Sequence, residues 1–159
     1  MAAFTVTVDD RDLPAYLDRL ARRGGAKPVM EDIARALANR TEDAFQAEAS
    51  PFGPKWPALT GRYVKRARKH GGRGGDAHPI LQRHGGLTAS ITHGASATEA
   101  WVGASKEYAA IHQFGGTAGM APGPAAIPPR PYLPVSPDGE LSPTAEREIL
   151  EILRRHLES

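Results

Sequence analysis

The sequence predicts an α+β fold: a small antiparallel sheet packed against a long helix and a C-terminal helix, with long Gly/Pro-rich and basic loops. Three observations predict it. Apolar residues recur at helical spacing over 28–49 and again from 142 to the end. Two short runs within 87–104 alternate or mix β-formers around a turn. Glycine and proline, 17 and 14 in number, concentrate between Pro51 and Pro143 and leave both ends helix-like. A chain of 159 residues, 40% hydrophobic and 24% charged, fits one folded domain spanning 1–159, with a mobile basic loop expected at 60–79.

Residues 4–8 (FTVTV) alternate apolar and threonine, the pattern of a half-buried strand. Asp9 and Asp10 offer N-cap oxygens to a first helix striped by Leu13, Tyr16, Leu17 and Leu20, which Gly24 and Gly25 end. Pro28 suits the first turn of a second helix. Ile33, Leu37, Ala44 and Phe45 form its apolar face to about Ala49, where the run SPFGP stops it.

After the basic excursion, 87–93 and 99–104 read as two strands around a turn near Gly94, Ala95 and Ser96. Residues 108–114 (YAAIHQF) read as a short helix stopped by Gly115 and Gly116. Residues 127–137 (IPPRPYLPVSP) must be extended, because each proline drives its predecessor toward β or polyproline geometry. Ser142 caps the last helix with Pro143 at its first position, and Ile149, Ile152, Leu153 and Leu157 make its stripe.

Composition removes several chemistries. The chain has no cysteine, so disulfides, thiolate metal sites and thiol catalysis are excluded. No stretch reaches the roughly 20 apolar residues of a membrane-spanning helix, and no secretory signal is visible. The six histidines are scattered without metal-ligand spacing, and no nucleophile stands fixed beside a base, so neither cofactor nor enzymatic activity is expected. The net charge of +2 hides a cluster: Arg62, Lys65, Arg66, Arg68, Lys69 and Arg73 occur with no acid before Asp76.

Three segments in order carry a resemblance. The first is FQAEASPFGPKWPAL (45–59), the second ILQRHGGLTASI (80–91). The third runs from Trp101, Val102 and Gly103 through YAAIHQFGG to IPPRPYL, ending at Leu133. Together, over about 30–135, they resemble the phage virion morphogenesis family, the tail-completion proteins of contractile-tailed and related phages. His84 stands where that family often has threonine, and Pro134 where it often has glycine. The resemblance implies a structural protein that forms a ring, hexameric in expectation, at the head-proximal end of the tail tube and so enables head–tail joining. Its implied partners are further copies of itself, a tail tube or tail terminator protein and a head–tail connector protein; the cations of the basic loop add contact with packaged DNA as one reading. Its implied place is the tail or neck of the virion, reached by assembly in the host cytoplasm. Another neck role, such as tail terminator or head-side connector, and a nucleic-acid-binding module remain alternatives.

Trp56, Tyr108, His112, Phe114, Arg130 and Tyr132 are candidate interface residues, and the motif residues also have structural readings. Trp56 is either a core anchor pinning the loop to the helix end or an aromatic anchor at a subunit interface. The basic loop orders against a neighbouring ring, holds phosphates, or is inert. Tyr108, His112 and Phe114 lie in one short helical stretch, and His112 is expected to be a hydrogen-bonded structural residue fixing the helix to the Arg130 loop. Arg130 and Tyr132, stiffened by Pro128, Pro129 and Pro131, form part of a ring interface, with Arg130 bidentate to a carboxylate, or Arg130 closes its own fold on helix-end carbonyls.

Overall fold

The computed structural model describes residues 26–60, 79–82, 84–117 and 126–158. The expected strand at 4–8, the first helix and the basic residues at 62–73 lie outside them. In chain order the described elements are α1 (Ala26–Ala47), β1 (Ile91–Ala95), β2 (Ala100–Ala104), α2 (Ala109–Phe114) and α3 (Pro143–Glu158).

Helix α1 buries Val29, Met30, Ile33, Ala36, Leu37, Ala44 and Phe45, a three-and-four spacing that keeps one stripe facing inward. Thr41 sits in that stripe at full burial, and its hydroxyl is satisfied by donating to the Leu37 carbonyl at 3.0 Å. The helix ends two residues earlier than the proline run suggests. Glu48 takes a left-handed conformation (φ 50°), and Ala49 N–H reaches back to the Ala44 carbonyl at 3.1 Å. That bond is the Schellman closure, here with glutamate where glycine is usual. Lys55 Nζ donates to the Ala47 carbonyl at 2.8 Å and covers another open helix end. The SPFGP run then forms a tight turn, with Gly53 N–H donating to the Ser50 carbonyl and Ser50 N–H to the Pro54 carbonyl, both at 2.8 Å.

Helix α3 begins as the sequence predicts. Ser142 Oγ accepts from Ala145 N–H at 3.4 Å, and Pro143 occupies the first helical position. Ala145, Ile149, Ile152 and Leu153 pack on the N-terminal half of α1. An ion contact between Arg40 and Glu148 (3.2 Å) ties the two helices at the rim of this seam.

Among the described residues the sheet is a single antiparallel hairpin, β1 on β2, with Ile91 opposite Ala104 and Ala95 opposite Ala100. Two strands alone are marginal in water, and α1 stabilises them by packing across both. Two sequence expectations shift here. The strand expected from Leu87 starts at Ile91, because 88–90 form a 3-10 turn. Thr88 and Ser90 hydroxyls bond back to the Gly85 and Leu87 carbonyls (2.9 and 2.7 Å), satisfying the backbone locally instead of in a ladder. The turn falls at 96–99, not at Gly94: Ser96 Oγ accepts from Thr98 and Glu99 N–H, while Gly94 stays paired with Trp101.

Among the described residues the core has two lobes. One is the α1–α3 seam with the hairpin tip. The other joins Phe45, Trp56, Leu87, Ala109, Tyr132 and Leu133 at the far end of α1. The second lobe contains residues from all three motif segments.

Candidate interaction surface

Everything in the second lobe is organised around the extended segment 127–135, which lies along α2. Two bonds at 2.9 Å pair Gly116 with Ile127, and Arg130 N–H donates to the His112 carbonyl at 2.7 Å. Gly115 makes the corner (φ 80°). A Cβ there would meet the Ile127 carbonyl and Pro129 at about 3.0–3.1 Å, so both the dihedral and the close approach call for glycine.

Gln113 does the central job. It is 3% exposed, its Oε1 accepts from both Tyr132 N–H (2.9 Å) and Leu133 N–H (3.0 Å), and its Nε2 donates to the Val135 carbonyl (3.4 Å). One amide thus replaces the strand partner that this proline-rich segment lacks. Tyr132 returns a bond from its hydroxyl to the Ala109 carbonyl at 3.1 Å, and burial pushes its pKa up to about 12.

Trp56 joins this segment to the helix end. Its indole N–H donates to the Pro131 carbonyl at 2.8 Å, its ring meets Phe45 edge-on at 5.6 Å, and Phe45 meets Tyr132 at 5.2 Å. Arg130 is 6% exposed and donates from Nε to the Pro57 carbonyl (3.0 Å) and from Nη2 to the Ala58 carbonyl (3.3 Å). Of its two expected roles, these contacts are of the fold-closing kind, with a correction. The carbonyls belong to the loop after Trp56, not to a helix end. A cation shared between two carbonyls makes charge-assisted bonds that fix that loop.

Glu48 anchors both ends of the basic excursion. Its carbonyl accepts from Trp56 N–H at 2.8 Å and its carboxylate from Ile80 N–H, while Gln82 Nε2 donates to the Phe45 carbonyl at 2.9 Å. These bonds offset the left-handed strain of a non-glycine residue, about 1 kcal/mol or more.

The candidate interface residues therefore divide. Trp56, Arg130 and Tyr132 point into the molecule and support its surface from behind. Tyr108 and Phe114 are 40% and 38% exposed. His112 is half-buried, its ring edge-on to Tyr108 at 5.9 Å. The expected tie from His112 to the Arg130 loop exists, but through its main-chain carbonyl; its buried Nδ1 has no hydrogen-bond partner among the described residues. Sequence reasoning missed Gln113, Glu48 and Gln82. Gln113 was detectable in principle: it stands four residues after Ala109, on the inward side of a six-residue helix, where an amide must find partners.

Burial lowers the His112 pKa from its ordinary 6.5, and the nearby Arg130 guanidinium lowers it further. The folded state thus holds the neutral ring, while the unfolded chain takes up a proton below about pH 6.5. Stability is full above that pH and is lost as pH falls toward the lower folded value, by at most about 1.4 kcal/mol per pH unit. Melting curves from pH 8 to 5, compared with those of His112→Asn, check this: the variant should lose less stability on acidification. Equal losses would remove His112 as the cause.

Among the described residues no helix is long and apolar enough to cross a membrane. The model of the phage virion morphogenesis family matches residues 8–158. The chain is 37% identical over 153 residues to the putative capsid assembly protein G of Escherichia phage Mu, covering 96% of this chain and 92% of that protein. It is 30% identical over 148 residues to the Mu-like prophage FluMu G protein 1 of Haemophilus influenzae, covering 91% and 93% of the two chains. The FluMu G protein 2 of the same organism is 32% identical over 131 residues, 82% of each chain. No solved structure matches significantly.

Proposed function

We propose, from the premise that this chain belongs to the phage virion morphogenesis family, that it is a tail-completion subunit closing a ring at the head-proximal end of the tail. A role as a phage structural or assembly protein follows from the family itself. The place of the family-like motifs supports the ring role. The helix-end WPAL segment, the YAAIHQFGG helix and the IPPRPYL segment meet in one lobe, and their polar atoms bond chiefly to one another's backbone. Such a lobe is a rigid scaffold that loses little entropy when copies associate.

In this reading the protein works by binding free energy spread over a repeated contact. A heterologous interface whose rotation closes gives a ring, six-fold in our expectation. The ring would meet a tail tube or terminator protein on one side and a head–tail connector on the other. The cations at 62–73 would face a neighbouring subunit or the packaged DNA.

Removing the gene should leave DNA-filled heads and finished-length tails that do not join, and antibody labelling of intact particles should mark the neck. The name of the phage Mu relative supports a second reading, in which the chain acts in capsid assembly. Gene removal would then abolish filled heads and leave tails normal. That result, or absence of the protein from mature particles, overturns the tail-completion reading.

A further inference from the structure

A heterologous ring needs two unlike surfaces on every copy, each fitting the other. The described residues carry such a pair. The first is the outward face of the hairpin. Thr92 stands opposite Gly103 and Gly94 opposite Trp101. These four share the face turned away from α1, while Ile91, Ala95, Ala100, Val102 and Ala104 pack on the core lobes. Apart from the indole and one threonine this face has no side chains. Trp101 lies across Gly94 so closely that a Cβ at Gly94 would stand 2.6 Å from an indole carbon. One side of the indole rests on backbone, and Trp101 is left 49% exposed, the most exposed of the large apolar side chains among the described residues.

The second surface is the ridge of Pro128 and Pro129, both exposed. Its inner edge is bound by the Gly116–Ile127 pair and by Arg130 N–H on the His112 carbonyl, so the two pyrrolidine rings are held in a fixed direction. Adjacent prolines on an extended backbone, presented to a flat indole, are the two halves of polyproline recognition. Because the ridge is already rigid, docking it costs little conformational entropy.

We infer that the Pro128 and Pro129 ridge of one copy seats on the Trp101 shelf of the next copy, forming a contact of the ring. The occupant is a second copy because the same chain displays both complementary halves. The inference rests on the ring reading above and names its contact.

The chain contains no cysteine, so Thr92→Cys combined with Pro128→Cys supplies the only thiols. Oxidation of the assembled double variant, in purified rings or in particles, should give a ladder of covalent oligomers; each single variant should give none beyond a dimer. Trp101→Ala should weaken self-association roughly thirty-fold or more, as for a central aromatic anchor, with the monomer's melting temperature unchanged. Pro128→Ser with Pro129→Ser should do the same with Trp101 intact, and it decides the matter if Trp101→Ala fails to fold. Rings that form without the ladder, or that tolerate both sets of substitutions, overturn this contact and leave the ring reading standing. A chain that forms no ring alone or on particles overturns both.

Discussion

Gln113→Leu is expected to lower the unfolding free energy by about 2–6 kcal/mol. The substitution keeps much of the side-chain volume but removes the acceptor for two buried donors, Tyr132 N–H and Leu133 N–H. Each buried donor left unpaired costs about 1–3 kcal/mol. Prolines at 128, 129, 131 and 134 limit the other bonds this segment can form, so the strand has little to fall back on. With total stability of about 5–15 kcal/mol, the variant should lose most of its folded population at moderate urea. Urea titration followed by far-UV circular dichroism checks the effect: the midpoint should fall with the slope unchanged. Gln113→Glu preserves an acceptor for both donors and should cost less than leucine. A loss under about 1 kcal/mol for Gln113→Leu would mean that the segment is held by packing alone.

Trp56→Ala is the second large effect, about 3–5 kcal/mol, the usual range for deleting a buried tryptophan from a core. It empties the space beside Phe45 and strands the Pro131 carbonyl, which now accepts the indole N–H at 2.8 Å. Trp56→Phe should cost about 1–2 kcal/mol, since an aromatic ring remains and mainly the hydrogen bond is lost. The pair of variants separates the two roles open to this residue. At 5% exposure Trp56 offers almost no surface to a partner, so Trp56→Phe should leave self-association of the folded chain unchanged when measured by sedimentation. A selective loss of assembly at preserved stability would instead make Trp56 an interface anchor.

These two residues show how far the sequence could be read. A tryptophan just past a helix breaker announces an anchor, because its area must be buried somewhere and the helix end is the nearest apolar surface. Gln113 announces nothing by type. Its role depends on partners 19 and 20 residues further on, and no local pattern encodes that distance. Arg130 lies between: its planar cation predicted a paired contact, but that the Pro57 and Ala58 carbonyls accept from it is set by the approach of the 57–58 loop, 73 and 72 residues away. The hairpin shows the same limit at close range. Alternation located the two strands, yet the hydroxyls of Thr88, Ser90 and Ser96 moved the start and the turn, because side-chain oxygens compete with the ladder for backbone partners.

The sequence by itself determined the α+β class, the long helix and its inward stripe, the Ser142 cap with Pro143 behind it, and the family. All of these depend on spacing within one or two turns of chain, or on motifs in a fixed order. Only the tertiary structure decided that Glu48 closes α1, that Gln113 and Arg130 brace the proline segment, and that Trp101 faces outward while Trp56 faces in. Those choices come from hydrogen bonds and burial between residues distant in sequence, where geometry selects among partners that composition leaves equally able.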